Sequence, residues 1–406
     1  MKQFLTLTHV RKVILFATVI AAVGLLTACH HDHEDEVCER VIMVYIADDN
    51  TGSWEIGHKA DIRQMMEGTK ALSRNQKVVA FVDDARELPY ILEISRGDTT
   101  RVLQYKEKLS SSDATVMGNV LSWIVNNYHA TSYGLVLWGH ATGWEIRARN
   151  AEVFDDDATL PSQARTVRRA YAVEHGTDWM NIPDMARELA RLPKLSFIFA
   201  DCCCFQSIEV AYELRNVADY IIASAAEIPG EGAPYQTVVP ALFSQADDYY
   251  RLAVDAYYAQ VSYGYQEPMS VVKTSELANL AQATHDVLAS FLPTLGSDYP
   301  DVGGLIYYYD NAFFDMNDFI LRYADDNHYQ EWRRAFDQAV VYKTFVKEWM
   351  ANHVSFYRFD ATEERYGGVN MFVPQDGTWN TFFRQLNETI SRMQWYTAAG
   401  LHDFGW

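Results

Sequence analysis

The chain has 406 residues, 49% of them hydrophobic and 22% charged, which is ordinary for a globular protein and enough to bury a large core. Its 54 acidic and 34 basic side chains leave a formal charge of −20, which argues against nucleic acid as a partner. No basic stripe, zinc-finger spacing or RNA-binding signature offsets that exclusion, and the length fits two to three domain-sized units or one elaborated α/β domain.

Residues 1–28 read as an export segment. Lys2, Arg11 and Lys12 give it a positive start, and Val13 to Leu26 is apolar but short for a membrane span. Leu26-Thr27-Ala28-Cys29 is similar to a bacterial lipobox, which implies cleavage before Cys29, lipidation of Cys29 and a lipid anchor in the cell envelope. Cleavage there would leave 31 basic and 54 acidic side chains, a charge of about −23. Residues 29–39 read as a flexible acidic tether. Its His30, His31 and His33 offer metal binding only as a weaker alternative. The acidic run through Glu36 resembles a surface-export tag, which would put the protein on the outer-membrane surface. The remaining cysteines, Cys38 and the trio Cys202, Cys203 and Cys204, do not make a disulfide framework, although one bond between Cys38 and the trio stays open.

Val41 to Ala47 is an unbroken apolar run ending in Asp48, Asp49 and Asn50, and Lys77 to Val82 is a second, ending in Asp83 and Asp84. Ile62, Met65, Met66 and Leu72 mark an amphipathic helix between them. Strands without polar alternation, separated by a helix, predict a parallel sheet covered on both faces. Pro89 to Ile94 and Thr100 to Tyr105 predict a hairpin turning at Gly97 and Asp98. Ser112 and Asp113 are cap candidates for the next helix, and Tyr133 to Trp138 is a third buried strand that stops at Gly139-His140. Asn181 to Leu192 predicts a helix leading to the strand Leu195 to Ala200, which ends in Asp201 and the cysteines. A helix pattern follows at Ile208, Ala211, Tyr212 and Leu214, so the thiols sit at a strand-to-helix junction where a helix dipole would favour a thiolate. Tyr220 to Ala223 and Met269 to Lys273 predict further strands. Helices are expected at Leu252 to Tyr263, Leu277 to Leu292, Phe313 to Tyr323 and Tyr329 to Trp349, and a short strand at Val369 to Val373. This divides the mature chain into an α/β core over 40–275 and a C-terminal helical portion, 276–406, packed on it.

Two consecutive strands of this plan end in reactive side chains, one at His140 and the other at the cysteine trio. Functional groups of an open parallel sheet gather at the carboxyl ends of its strands, so both belong on one edge. Buried cysteines are often plain packing, and a strand-end histidine is often a satisfied surface group. Competing signatures are absent: there is no H-E-x-x-H, P-loop, G-x-S-x-G or G-x-G-x-x-G.

Four blocks together resemble the clostripain family of cysteine peptidases, whose fold relatives include caspases, gingipains and legumains. They are V-Y-I-A-D-D-N (Val44 to Asn50), H-A-T-G-W (His140 to Trp144) and A-D-C-C-C-F-Q-S-I-E-V-A-Y-E-L (Ala200 to Leu214), with A-D-Y-I-I-A-S plus P-G-E-G-A-P-Y (Ala218 to Ser224, Pro229 to Tyr235) as the fourth. The resemblance implies a caspase-like three-layer α/β sandwich with a mainly parallel central sheet. It also implies an endopeptidase that cuts after Arg or Lys, with peptides or proteins as substrates. The nucleophile falls on Cys203 and its histidine on His140. Oxyanion donors fall on the backbone N–H groups of Cys203 and Ala141, where the family usually has glycine at the second position. Asp201, and with less weight Glu231, fall in the pocket for a basic side chain. No cofactor is required, though some relatives need calcium, for which Asp155 to Asp157 are the candidates beside a plainer reading as a solvated loop. Self-processing in relatives makes Arg147, Arg149, Arg165, Arg168 and Arg169 candidate cleavage points. Ala141 and the crowded thiols motivate the rival reading, a peptidase-fold lipoprotein that binds peptides without cutting them.

Overall fold

The computed structural model describes residues 37–48, 57–146, 171–174, 178–260, 267–296, 299–352 and 355–406. Cys38–Trp406 form one compact unit. In chain order the sheet begins with β1 (Cys38–Asp48), α1 (Gly57–Thr69), β2 (Gln76–Asp84), β3 (Tyr90–Ser95) and β4 (Asp98–Gln104). It continues through α2 (Ala114–Asn127), β5 (Ala130–Trp138), the small ribbon β6 (Tyr171–Glu174) and β7 (Asp178–Met180), and α3 (Ile182–Leu189). Then come β8 (Leu195–Asp201), α4 (Ile208–Glu213), β9 (Ala218–Ser224), α5 (Tyr235–Leu242), α6 (Tyr249–Gln260) and β10 (Met269–Lys273).

One nine-stranded sheet has the order β4-β3-β2-β1-β5-β8-β9-β10-β12, where β12 is Val340–Lys343. The five strands from β2 to β9 run parallel, and the outer strands are antiparallel. This is the mainly parallel, doubly covered sheet that the unalternated apolar runs predict. In β1 both faces are filled: Val41, Met43 and Tyr45 enter one core, Ile42, Val44 and Ile46 the other. Helices α2, α3 and α4 cover the first face, and α1, α5 and α6 the second. Because α1 and α2 lie on opposite faces, the connections diverge between β1 and β5. That divergence makes the topological switch at whose carboxyl side ligands bind in folds of this kind.

Several boundaries differ from expectation for identifiable reasons. β1 starts at Cys38, two residues inside the expected tether, because Cys38 N–H and Glu39 N–H already donate to His129 and Asn75 carbonyls. The hairpin turns at Arg96-Gly97, both left-handed, one residue earlier than predicted. The helix expected over Tyr329 to Trp349 ends as α9 (Asp326–Ala339), after α7 (Leu277–Phe291), β11 (Phe314–Asp315) and α8 (Met316–Tyr323). The chain then leaves the helix at Val340, and Val340, Tyr342 and Lys343 pair with β10 as the sheet's outermost strand, where β-branched and aromatic residues fit better. A hairpin of β13 (Glu348–Asn352) and β14 (Ser355–Arg358) follows, so the C-terminal portion is less purely helical than expected. The strand predicted at Val369 to Val373 shrinks to β15 (Asn370–Met371), which pairs with β11, and α10 (Thr381–Thr389) and α11 (Gln394–Ala398) close the chain.

Candidate active site at the carboxyl edge of the sheet

β5 and β8 are hydrogen-bonded parallel neighbours in which Trp138 is the register partner of Asp201. His140 and Cys203 each lie two residues beyond that pair, so they leave adjacent strands at the same level. The loops they start also touch. Gly143, with φ 71°, packs so closely on the cysteine loop that a Cβ there would lie 2.9 Å from the Cys204 carbonyl oxygen. Trp144 is fully buried and meets Phe313 and Phe372 edge-on, which anchors the far end of the histidine loop in the C-terminal layer. Ala141 is 4% exposed and bridges to Tyr171, while Ala172 N–H donates to the His140 carbonyl. The positive backbone angles of this loop fall on Gly139 and Gly143, not on Ala141, so the alanine is not strained.

Burial separates the three cysteines. Cys202 and Cys204 are buried and Cys203 alone is half-exposed; all are free thiols, as is Cys38. Cys38 starts β1 whereas the trio follows the end of a parallel strand, so about 30 Å of strand separates them and the bond left open above does not form. Cys204 takes a left-handed conformation, φ 54°, and its N–H donates to the Ala226 carbonyl. Gln206, fully buried, locks the loop from behind: its side-chain amide donates to Ile221 and Ser270 carbonyls, and its own carbonyl accepts from Asn370 N–H.

The expected helix-end thiolate is not what the fold provides. α4 starts at Ile208, and the Ser207 hydroxyl already accepts from Val210 N–H as its cap. The backbone group on Cys203 Sγ is instead Ile228 N–H at 3.4 Å. Burial, with repulsion from Glu227 and Asp201, pushes the thiol up to about 12 against that one donor. Burial also holds Cys202 and Cys204 well above the usual thiol range.

Asp201 is 4% exposed, and its Oδ2 accepts from Ala233 N–H at 3.0 Å and Tyr235 O–H at 2.6 Å. Glu231 stands exposed in the preceding turn. Three groups at this edge escaped sequence reasoning: Asp61 of α1, whose Oδ2 accepts from Trp138 Nε1–H at 2.8 Å, His58, which meets Asp48 Oδ2 at 2.5 Å, and Glu267, 1% exposed. A signal for the first two existed, since His58 and Asp61 occupy the apolar stripe of α1 at the spacing of Met65. Among the described residues no cluster of three or more His, Cys, Asp or Glu side chains fits a metal ion. Cys29, His30, His31 and His33, the acidic run Asp155 to Asp157 and the arginines between 147 and 169 lie outside the described residues.

The model of the clostripain family matches residues 44–395. Among solved structures, a secreted C11 cysteine protease from Bacteroides thetaiotaomicron, in complex with an irreversible peptide inhibitor, is 27% identical with a TM-score of 0.74 over 90% of this chain and 99% of that one. An inactive zymogen C11 protease from Parabacteroides distasonis is 25% identical with a TM-score of 0.71 over 89% and 98%. A cysteine protease from B. fragilis is 30% identical with a TM-score of 0.51, covering 58% of this chain and 98% of its own. No curated protein adds a match to these relatives. Blocks, fold and relatives agree: the chain belongs to the clostripain family of cysteine peptidases, on a caspase-like α/β sandwich.

Proposed function

We propose that the protein is an endopeptidase that cuts after Arg or Lys through Cys203 and His140. The observation that carries this reading is the register of β5 and β8, from which His140 and Cys203, the least buried thiol among the described residues, leave adjacent strands at the same level. Because burial keeps the Cys203 thiol protonated at neutral pH, the histidine has a defined task. His140 takes the thiol proton as Sγ bonds to the scissile carbonyl carbon. Backbone N–H groups of Cys203 and Ala141 hold the oxyanion. The C–N bond breaks as His140 returns the proton to the leaving amine, leaving a thioester. Water then adds with His140 as base, and the C–S bond breaks to release the acid and the thiol. Asp201, at the floor beside Cys203, and Glu231, at the exposed turn, supply the negative charge that selects a basic side chain. Lipidation at Cys29 would tether the enzyme to the envelope; a Cys29→Ser chain that still incorporates labelled fatty acid overturns that part.

The test is covalent labelling with a Lys- or Arg-terminated peptidyl halomethyl ketone alongside hydrolysis of the matching reporter. Cys203→Ala should abolish both, and His140→Ala should slow both by about a thousandfold. Labelling unchanged in Cys203→Ala removes the assignment. The high thiol pKa specifically favours a rival, a peptidase fold that binds without cutting. Peptide binding with neither labelling nor hydrolysis would establish that rival.

A further inference from the structure

Buried carboxylates normally have a cation or a full set of hydrogen bonds. Asp61 and Asp201 have neither. Asp61 is fully buried and Asp201 nearly so, and among the described residues Oδ1 of each has no hydrogen-bond partner. Their other oxygens receive only neutral donors: Trp138 Nε1–H on Asp61, Ala233 N–H and Tyr235 O–H on Asp201. No Lys, Arg or His among the described residues forms an ion pair with either, and Arg63, the cation that most attracts Asp61, is an exposed side chain.

The two carboxylates also converge. Gly232, at φ 70°, passes so close that a Cβ would lie 2.9 Å from Asp61 Oδ2 and 3.1 Å from Asp201 Oδ2. The two oxygens are therefore within about 6 Å of each other in a low-dielectric site, where like charges repel strongly. Sheet and helix hold them there independently, Asp201 as the last residue of β8 and Asp61 on α1. Among the described residues, such an arrangement is short of one positive charge.

We propose that Asp61 is a second specificity residue, which together with Asp201 forms a two-carboxylate floor that receives the basic side chain of the substrate. This rests on the reading that the enzyme selects Arg or Lys at Asp201. A guanidinium or ammonium reaching the pair supplies a counter-charge, which a neutral side chain cannot do. Without such a charge the pair relieves its repulsion by holding a proton: burial first, then Asp201, pushes Asp61 up to about 8. A basic ligand displaces that proton. The groups facing the pair are Asp48, Arg63, Trp138, Tyr235 and Glu267, with His58 edge-on to Trp138 and bonded to Asp48.

The experiment compares second-order labelling rates for peptidyl halomethyl ketones identical except for Lys, Arg or norleucine at the residue that fills the pocket. In Asp61→Asn, which can still accept from Trp138, the basic-to-neutral rate ratio should fall about tenfold or more. Loss of that ratio in Asp201→Asn but not in Asp61→Asn overturns the inference and leaves the basic-specificity reading standing. An equal loss with basic and neutral probes also overturns it, because Asp61 would then act only on the scaffold. A wild type without preference for basic probes instead removes the specificity reading itself. Should Asp61→Asn fail to fold, the wild-type ratio is read between about pH 6 and 9. It should rise with pH as the shared proton is lost, and a flat ratio overturns the proposal.

Discussion

Asp315 and Asp318 in the C-terminal layer are as deeply buried as Asp61 and Asp201 at the sheet edge, yet their surroundings differ completely. Asp318 accepts from Arg365 Nε–H and Nη2–H, at 2.7 and 2.8 Å, and from Ile306 N–H. Asp315 accepts from Tyr308 O–H and from the N–H groups of Gly367, Gly368 and Asp318, with the Lys343 charge nearby. Nearly every lone pair there has a purpose internal to the fold. At the sheet edge, among the described residues, the comparable groups keep unpaired oxygens and form no ion pair. The contrast separates carboxylates that hold a structure together from carboxylates that await a ligand, a distinction burial alone does not make.

The sharpest way to break this comparison is to remove one partner from each region and measure stability. Arg365→Ala should cost about 3 kcal/mol by thermal or denaturant unfolding, because it strands Asp318 as a buried, unpaired charge. Asp61→Asn should cost nothing or stabilise, since it removes a repulsion, and a loss as large as that of Arg365→Ala would erase the difference between the regions. Next in size, Gly143→Ala should cost about 1–2 kcal/mol through its left-handed backbone. Its Cβ would press on the Cys204 carbonyl, so labelling by basic and neutral probes should fall together, unlike the selective fall in Asp61→Asn.

Proton linkage adds a pH dependence. Burial, then the Asp201 charge, pushes Asp61 up to about 8 in the folded protein against about 4 unfolded, so the folded state holds the extra proton between these values. Its contribution is therefore present at low pH and lost as pH rises from about 4 to 8. Glu209 and Glu267, both raised to about 7, act in the same direction. The wild type should accordingly lose more stability across that range than Asp61→Asn, and parallel melting curves would contradict the assignment. The smallest effect concerns Ala141. Its backbone is unstrained and its methyl buried, so Ala141→Gly should destabilise by about 1 kcal/mol. A gain in stability would mean that the site wants glycine after all.

Much of the site was legible before any coordinates. Unalternated runs such as Val41 to Ala47 fit strands buried on both faces, and a parallel sheet with both faces covered follows from them. Strand ends just before His140 and at Asp201 then put the two candidate groups on one edge. What stayed hidden depends on contacts between distant segments. Composition and periodicity do not separate three adjacent cysteines, and only the family resemblance singles out Cys203; β8 and its loop bury the other two and leave Cys203 part-buried. The left-handed residue of the histidine loop is Gly143, a fact about how that loop meets Cys204.

The sequence by itself determined the α/β order and the placement of His140 and the cysteine trio just beyond the ends of two strands, because periodicity and strand-end placement are local properties. Only the tertiary structure decided that Val340–Lys343 joins the sheet, that Gln206 locks the cysteine loop, and that Asp61 meets Asp201 across Gly232. Those outcomes come from residues between 31 and 171 positions apart along the chain (Asp201 to Gly232 and Asp61 to Gly232). Whether a carboxylate is paired or unpaired is settled by what packs around it, not by its neighbours in sequence.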